Sequence, residues 1–295
     1  MIRFVAPAVW RSGRGGSPVV WKGLRMQLHA TGAVLQEKED LTRKILTKQV
    51  QTVPRKDGDY MMPHPVWTES ELHNVTQEER KPEGLKDWLA RITVQTMRFN
   101  FDVLTTYKFQ KIPTKATWVN RLIFLETVAG VPGSAASVIR HLHSLRRLQR
   151  DHGWIHTLLA EAENERMHLM TFLELKRPGP LFRLAVFLAQ GVFFNFYFLA
   201  YLASPSFCHR LVGELEQEAV ITYTKLIKEL DAGHHDDWKT MRPPQIAIDY
   251  WRLGENATMR DLLLNIRADE AHHRDCNHLL AGLNEDDDNP IPPGL

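Results

Sequence analysis

Asn164-Glu165-Arg166-Met167-His168 and Asp269-Glu270-Ala271-His272-His273 each contain Glu-x-x-His, and each lies in a strongly helical stretch. At i, i+3 spacing the glutamate and the histidine project from one helix face. A solitary glutamate precedes each copy, Glu126 before the first and Glu216 before the second. The order is therefore Glu, Glu-x-x-His, Glu, Glu-x-x-His, one set per helix. Four carboxylates and two imidazoles from four helices are the ligand set of a dinuclear iron or manganese bundle. Oxygen and nitrogen donors without thiolate suit iron or manganese better than zinc. The fold class expected is all-α, a ferritin-like four-helix di-iron bundle with two additional membrane-associated helices.

Each ligand has rivals among its neighbours. Glu126 is the only ionisable side chain from Leu122 to Ile139. A buried, unpaired carboxylate costs several kcal/mol or shifts its pKa until neutral, and a divalent metal removes that penalty. Glu165 and His168 share a stripe with Leu158, Leu169 and Phe172; Glu161 lies on the same stripe and is a rival ligand. Glu216 shares its face with Val212, Ala219, Val220, Tyr223 and Ile227, whereas Glu218 falls with Thr222, Lys225 and Glu229. The helix period thus points Glu216 to the core and Glu218 to water. His272, at i+2 from Glu270, faces away from the pair. Asp269, at i−4 from His273, is placed to orient an imidazole.

The 295 residues carry a net charge of +2, so nothing global argues for a nucleic-acid partner. Only Cys208 and Cys276 are present, which excludes a disulfide framework. Residues 1–36 hold five basic side chains and no acid, the composition of a mitochondrial transit peptide. Residues 37–82 are polar, with Pro54, Pro63 and Pro65, and read as an extended arm. Residues 83–283 form the expected catalytic domain, and 284–295 read as a frayed acidic tail. Six helices are expected in the domain, near Gly84–Tyr107, Thr117–Arg150, Gly153–Lys176, Leu181–Ala203, Pro205–Asp231 and Met259–Leu283. Pro132-Gly133 should kink the second.

Leu181–Ala203 has six Phe, two Tyr and few polar residues. At 1.5 Å per residue it is ~35 Å long, enough to cross a bilayer. His168 shortly precedes it and Glu216 shortly follows. A crossing would put the ligand helices on opposite sides, where they could not share one centre. The helix is therefore expected either to be buried in a protein core or to lie flat in one leaflet, and its many bulky aromatics favour the leaflet. Arg140, His141, His143, Arg146, Arg147 and Arg150 either touch anionic headgroups or form a solvated helix end.

Leu125-Glu126-Thr127, Asn164-Glu165-Arg166-Met167-His168-Leu169, Leu215-Glu216-Gln217-Glu218-Ala219 and Arg267-Ala268-Asp269-Glu270-Ala271-His272-His273 resemble the four signature motifs of the alternative oxidases. The resemblance covers about residues 83–281. Gln217 replaces an acid of the family's Leu-Glu-Glu-Glu-Ala, and His272 stands where the family often has Glu; neither is a ligand. The resemblance implies a cyanide-insensitive ubiquinol oxidase on the matrix face of the mitochondrial inner membrane. Such enzymes oxidise two ubiquinols, reduce O2 to two waters and pump no protons. The resemblance implies two non-haem Fe ions held by Glu126, Glu165, His168, Glu216, Glu270 and His273. It places Tyr223 near the iron as a catalytic residue, and Asn164, Asp269 and Trp251 around the ligands. Arg98, Asp102, Arg121, Leu125, Ala219 and Thr222 match the surroundings of the quinol pocket. The implied partners are ubiquinol, O2, inner-membrane lipids and a second copy of the chain in a homodimer. Plant-type disulfide control is not expected, because the regulatory cysteine ahead of the first helix is absent.

Three neighbouring readings share parts of this pattern. Quinone-linked di-iron hydroxylases use the same six ligands, and a plastid-type quinol oxidase differs mainly in organelle. A ferritin-like iron-binding protein would lack the aromatic fourth helix.

Overall fold

The computed structural model describes residues 35–46, 62–77 and 80–293. The expected transit peptide lies outside them except for its last two residues. The chain divides into compact units at Met1–Asp40 and Leu41–Leu295. A helix over residues 35–46, α1, crosses that boundary in the sequence. All the helices from Glu69 onward lie in the second unit.

Helices follow in the order α2 (Glu69–His73), α3 (Leu85–Leu104), a 3-10 turn at Tyr107–Phe109, α4 (Lys115–Arg147), α5 (Trp154–Leu175), α6 (Pro180–Ala203), α7 (Pro205–Asp231), α8 (Asp236–Thr240), α9 (Gln245–Trp251) and α10 (Met259–Ala281). No strand occurs among the described residues. The all-α expectation holds, and the six long helices stand where the Pro and Gly boundaries placed them. Side-chain caps start three of them. Thr114 caps α4 by accepting from Thr117 N at 3.2 Å. Ser204 caps α7, with Pro205 in its first turn. Thr258 and Asp261 form a capping box for α10. Such caps satisfy backbone N–H groups that have no intrahelical partner.

Four helices form the bundle. The most extensive contacts are α4 on α5 and α7 on α10, with α3 against α7 and α6 against α4 and α7. Gly133 permits the close approach of α4 to α5, since a Cβ there would sit 2.6 Å from the carbonyl oxygen of Leu158. One apolar cluster gathers Trp118, Leu122, Ile123, Phe172, Tyr223 and Leu263. A second gathers Ala135, Leu158, Phe193, Tyr197, Leu211 and Val212. On α4, α5 and α7 the signature glutamates lie between the two. The helix α10 is buried over nearly its whole length although it is rich in charge. The bundle and the arm cover it and supply partners, such as Gln217 Oε1 and Thr76 O for Arg274 Nη1.

The helix α6 is the opposite case. Only Phe193, Tyr197 and Tyr201 of its residues are buried, while Leu181, Phe187 and Val192 are each more than 70% exposed. Both α4 and α6 are long and apolar enough to cross a membrane; α4 is mostly buried in the bundle and α6 is mostly exposed. The helix α3 also presents an apolar stripe, with Leu85, Trp88, Leu89, Ile92 and Phe99 exposed.

Four expectations need correction. The segment read as an extended arm contains α1 and α2; Thr68 and Glu71 form a capping box that nucleates α2. The segment read as a frayed tail is docked as far as it is described. Asp287 O accepts from Trp154 Nε1 at 2.9 Å, Asn289 Nδ2 donates to Thr157 Oγ1 at 2.7 Å, and Ile291 is buried beside Trp154. That docking also takes Arg140 away from any headgroup. Its guanidinium bonds Asp151 Oδ1 at 2.7 Å and the carbonyl of Glu285 at 3.0 Å, and stacks on Trp154. The short helices α8 and α9 fall in a stretch where the sequence reading placed no helix. As for Pro132, α4 continues as one helix across it.

Candidate metal centre

The structure brings the six side chains Glu126, Glu165, His168, Glu216, Glu270 and His273 together from α4, α5, α7 and α10. They fall into two overlapping groups whose ligand atoms lie within 4.8 Å of one another. One group is Glu126, Glu165, His168 and Glu270; the other is Glu165, Glu216, Glu270 and His273. Glu165 and Glu270 belong to both. All six residues are at most 5% exposed. His168 Nδ1 lies 3.4 Å from Glu126 Oε2, 3.5 Å from Glu165 Oε2 and 3.3 Å from Glu270 Oε1. His273 Nδ1 lies 2.8 Å from Glu165 Oε1.

These atoms fit a pair of hard cations. Glu126 Oε2, both oxygens of Glu165, Glu270 Oε2 and the Nδ1 atoms of His168 and His273 are buried and make no hydrogen bond. Buried polar atoms without partners are rare because each costs its full desolvation penalty. Here they converge on one another, and cations between them would satisfy them together. No thiolate joins them, since Cys276 Sγ lies 3.4 Å from His272 Nε2 instead.

The metal-free electrostatics show the same need. Burial, with the charges of Glu270 and Glu165 and against the neighbouring His168, pushes the Glu126 carboxyl up to about 8. Burial and the same two carboxylates hold Glu216 well above the usual range. Burial disfavours the charge on His273, yet Glu165 raises it to about 9. Burial likewise opposes the His168 charge, and Glu165, Asp269 and Glu126 raise it well above 6.5. Against burial, His168 and His273 hold Glu165 below its ordinary value. Protons thus compensate the charge that metal would compensate.

Around the cluster, Asp269 is the main organiser. It accepts from Trp67 Nε1 at 2.6 Å, Trp251 Nε1 at 2.7 Å, Asn164 Nδ2 at 3.3 Å and His168 Nε2 at 3.1 Å. Its histidine is thus His168 on α5 and not His273, which its position at i−4 had suggested. The carboxylate projects across to α5, and contact between helices overrides spacing along one. Asn164 also donates to Tyr250 Oη at 3.0 Å. Tyr223 Oη donates to Glu126 Oε1. Glu161, the rival ligand, is buried outside both groups and accepts from Asn277 Nδ2 at 2.8 Å. Burial raises its pKa to about 7. Sequence reasoning missed Trp67 and Tyr250; an isolated Trp in a Pro-rich arm carries no local sign of its partner.

A cavity of about 180 Å³ opens beside the cluster and reaches Glu126, Glu216, Glu270 and Tyr223. Its walls are mainly apolar. Five of the six residues matched to a quinol pocket line it: Arg98, Arg121, Leu125, Ala219 and Thr222. Asp102 stands behind the wall, 3.7 Å from Arg98 Nε and 2.6 Å from Arg121 Nη2. Glu218 does not point to water. It lines the cavity and pairs with Arg98, because α3 packs over that face of α7.

Comparison with known proteins agrees with this geometry. The family model for alternative oxidases matches residues 67–282. The chain belongs to the alternative oxidase family. It is similar to the mitochondrial alternative oxidase of Emericella nidulans, at 50% identity over 234 residues, covering 75% of this chain and 66% of that protein. The one from Gelasinospora sp. is 44% identical over 303 residues, covering 93% of this chain and 84% of the relative. For that of Trypanosoma brucei brucei the figures are 46% over 251 residues, 83% and 74%. The chain spans about two thirds of the length of the Emericella relative. The family match begins at Trp67, so it takes in the arm residue that contacts Asp269 as well as the bundle.

Proposed function

We propose that this alternative oxidase family member is a terminal ubiquinol oxidase. It oxidises two ubiquinols and reduces one O2 to two waters at a non-haem di-iron centre, without moving protons across the membrane. One observation carries the reading: the apolar cavity beside Arg98 and Arg121 ends on Glu126, Glu216, Glu270 and Tyr223. A quinol ring bound in that cavity would share a wall with the metal ligands.

Glu126, Glu165, His168, Glu216, Glu270 and His273 would hold the two iron ions. Bound iron supplies the redox chemistry that couples quinol oxidation to dioxygen reduction. The protein's own groups do the positioning. Asp269 bonds Nε2 of His168 and so leaves Nδ1 facing the cluster. Trp67, Trp251 and Asn164 fix Asp269 in turn. Tyr223 holds a proton on its hydroxyl, donated to Glu126, beside the inner end of the cavity. Arg121 is 4% exposed, and its Nε and Nη1 have no hydrogen-bond acceptor. They are the donors available to a quinol oxygen. Asp102, paired with both arginines, and Glu218, paired with Arg98, balance their two charges.

The proposed location is the matrix face of the mitochondrial inner membrane. The mitochondrial relatives and the acid-free N-terminal segment support it. The exposed apolar faces of α3 and α6 support insertion into one leaflet. Because α5 and α7 carry ligands of one cluster, α6 between them does not cross. The family's homodimer would use apolar residues left exposed elsewhere, such as Val138, Leu142 and Leu159.

The test is iron content together with oxygen uptake. Purified protein should hold about two iron atoms per chain and consume O2 with ubiquinol alone, insensitive to cyanide. Glu126→Ala should lose most of the iron and the activity. Oxygen uptake that requires a hydroxylatable substrate would replace the oxidase reading with a hydroxylase.

A further inference from the structure

Helix α6 lies across α4 and divides the approaches to Glu126. Gln190 on α6 donates from Nε2 to the carbonyl oxygen of Thr127 at 2.6 Å, one residue beyond Glu126. To one side lies the apolar cavity already described, with Phe193 in its wall. To the other lies a cleft of about 480 Å³ between α4, α5 and α6, lined by Gln190, Gly191 and Phe194 of α6. Glu126 is the one residue that lines both.

We propose that this cleft is the path by which dioxygen reaches the metal centre, separate from the quinol cavity. The proposal rests on the reading of the site as a quinol oxidase. A ring bound in the first cavity obstructs that side of the cluster, since the cavity ends on three of the ligands and Tyr223. The second substrate then needs its own way in.

The chemistry of the cleft suits a small apolar molecule. Its polar side chains are already engaged: Thr127 Oγ1 donates to Phe124 O at 2.6 Å and Ser134 Oγ to Gly130 O at 2.8 Å. Arg166 Nε bonds Glu163 at 2.7 Å. What remains is apolar or small, including Val131, Ala162 and Leu169. Phe187 and Phe194 flank the cleft from the exposed side of α6. Dioxygen is more soluble in hydrocarbon than in water, so a lipid-facing mouth draws on the richer reservoir.

The cleft can be narrowed without disturbing the fold. A Cβ at Gly191 would meet nothing within 4 Å, and its backbone needs no positive φ. Leucine is also the better helix former there.

Gly191→Ala and Gly191→Leu test the proposal in the full-length holoenzyme. Iron content should stay at the wild-type level. The KM for O2 should rise several-fold with leucine and less with alanine, while the KM for ubiquinol stays unchanged. Xenon occupies dry apolar cavities. Crystals of the wild type under xenon pressure should show it in the cleft, and those of Gly191→Leu should not. An unchanged KM for O2 in the leucine variant, a parallel rise in the KM for ubiquinol, or no xenon in the wild-type cleft overturns the proposal. A wild type that consumes no O2 with ubiquinol would overturn the oxidase reading instead, and xenon would still decide whether the cleft admits an apolar gas.

Discussion

Asp269 on α10 accepts a hydrogen bond from Nε2 of His168 on α5 at 3.1 Å. This bond joins the two Glu-x-x-His helices outside the metal cluster itself. It sets which nitrogen of His168 faces the metal, and three further donors lock the carboxylate.

Asp269→Asn should keep the fold but weaken the centre. An amide cannot accept from all four donors, and its own N–H₂ would face one of them. Loss of such an outer partner typically costs about 10–100-fold in metal affinity or activity. Iron retention during dialysis against a chelator measures it; wild-type retention would mean His168 is oriented by something else.

Gly133→Ala should damage the site from a distance. The new methyl would press on the Leu158 carbonyl and part α4 from α5. Overpacking of this kind costs about 1–3 kcal/mol. Glu126 and Glu165 ride on the two helices, so iron content should fall together with the unfolding temperature. A fully loaded, equally stable variant would show that α4 can shift freely.

Glu216→Gln and Glu218→Gln should separate cleanly. The first removes a charge from the cluster and should abolish iron loading at one position and all oxygen uptake. The second leaves the cluster intact but takes from Arg98, at the cavity wall, its carboxylate partner on α7, leaving Asp102. It should raise the KM for ubiquinol several-fold with normal iron. Equal loss of iron in both would mean that Glu218 also serves the metal.

Acid should destabilise the protein partly through two buried histidines. Burial lowers His209 to about 4 and His278 to about 3, so both are neutral in the folded chain near pH 5. Unfolded, they charge below about 6.5. The unfolded state therefore binds more protons in this window, and stability is full above it and falls with pH. Each contributes a slope of about 1.4 kcal/mol per pH unit, ending near pH 4 for His209 and near 3 for His278. Tyr201 Oη donates to His209 Nε2, and Nδ1 donates to Asn277 Oδ1 at 2.9 Å. His209→Gln should be less stable at pH 7 yet lose less stability between pH 6.5 and 4.5, as read by thermal unfolding in detergent. An unaltered slope would rule out His209 as a source.

Leu188→Asp with Leu199→Asp should loosen membrane attachment without unfolding the bundle, because both side chains are more than half exposed. Burying one such side chain is worth about 1.5–3 kcal/mol, so each change should weaken partitioning at least tenfold. Flotation with liposomes measures this. Undiminished flotation would remove this face of α6 from the lipid contact.

The sequence by itself determined the ligand helices and the phase of each. A repeat at i, i+3 fixes which side chains share a face, and Pro and Gly fix where the helices stop, both within a few residues of chain. It therefore placed Glu126, Glu165, His168, Glu216, Glu270 and His273 on inward faces of four helices. It also separated Glu216 from Glu218, but not what Glu218 meets, since Arg98 arrives on α3. Only the tertiary structure decided the choice of partner. Asp269 bonds a histidine 101 residues away in the chain instead of the one four residues on, and Trp67 reaches it across 202. The charged helix α10 became the buried centre because the arm, α5 and α7 bring partners to its polar groups. Hydrogen bonds and ion pairs between elements depend on how far and at what rotation the helices pack, and no spacing along one helix encodes that.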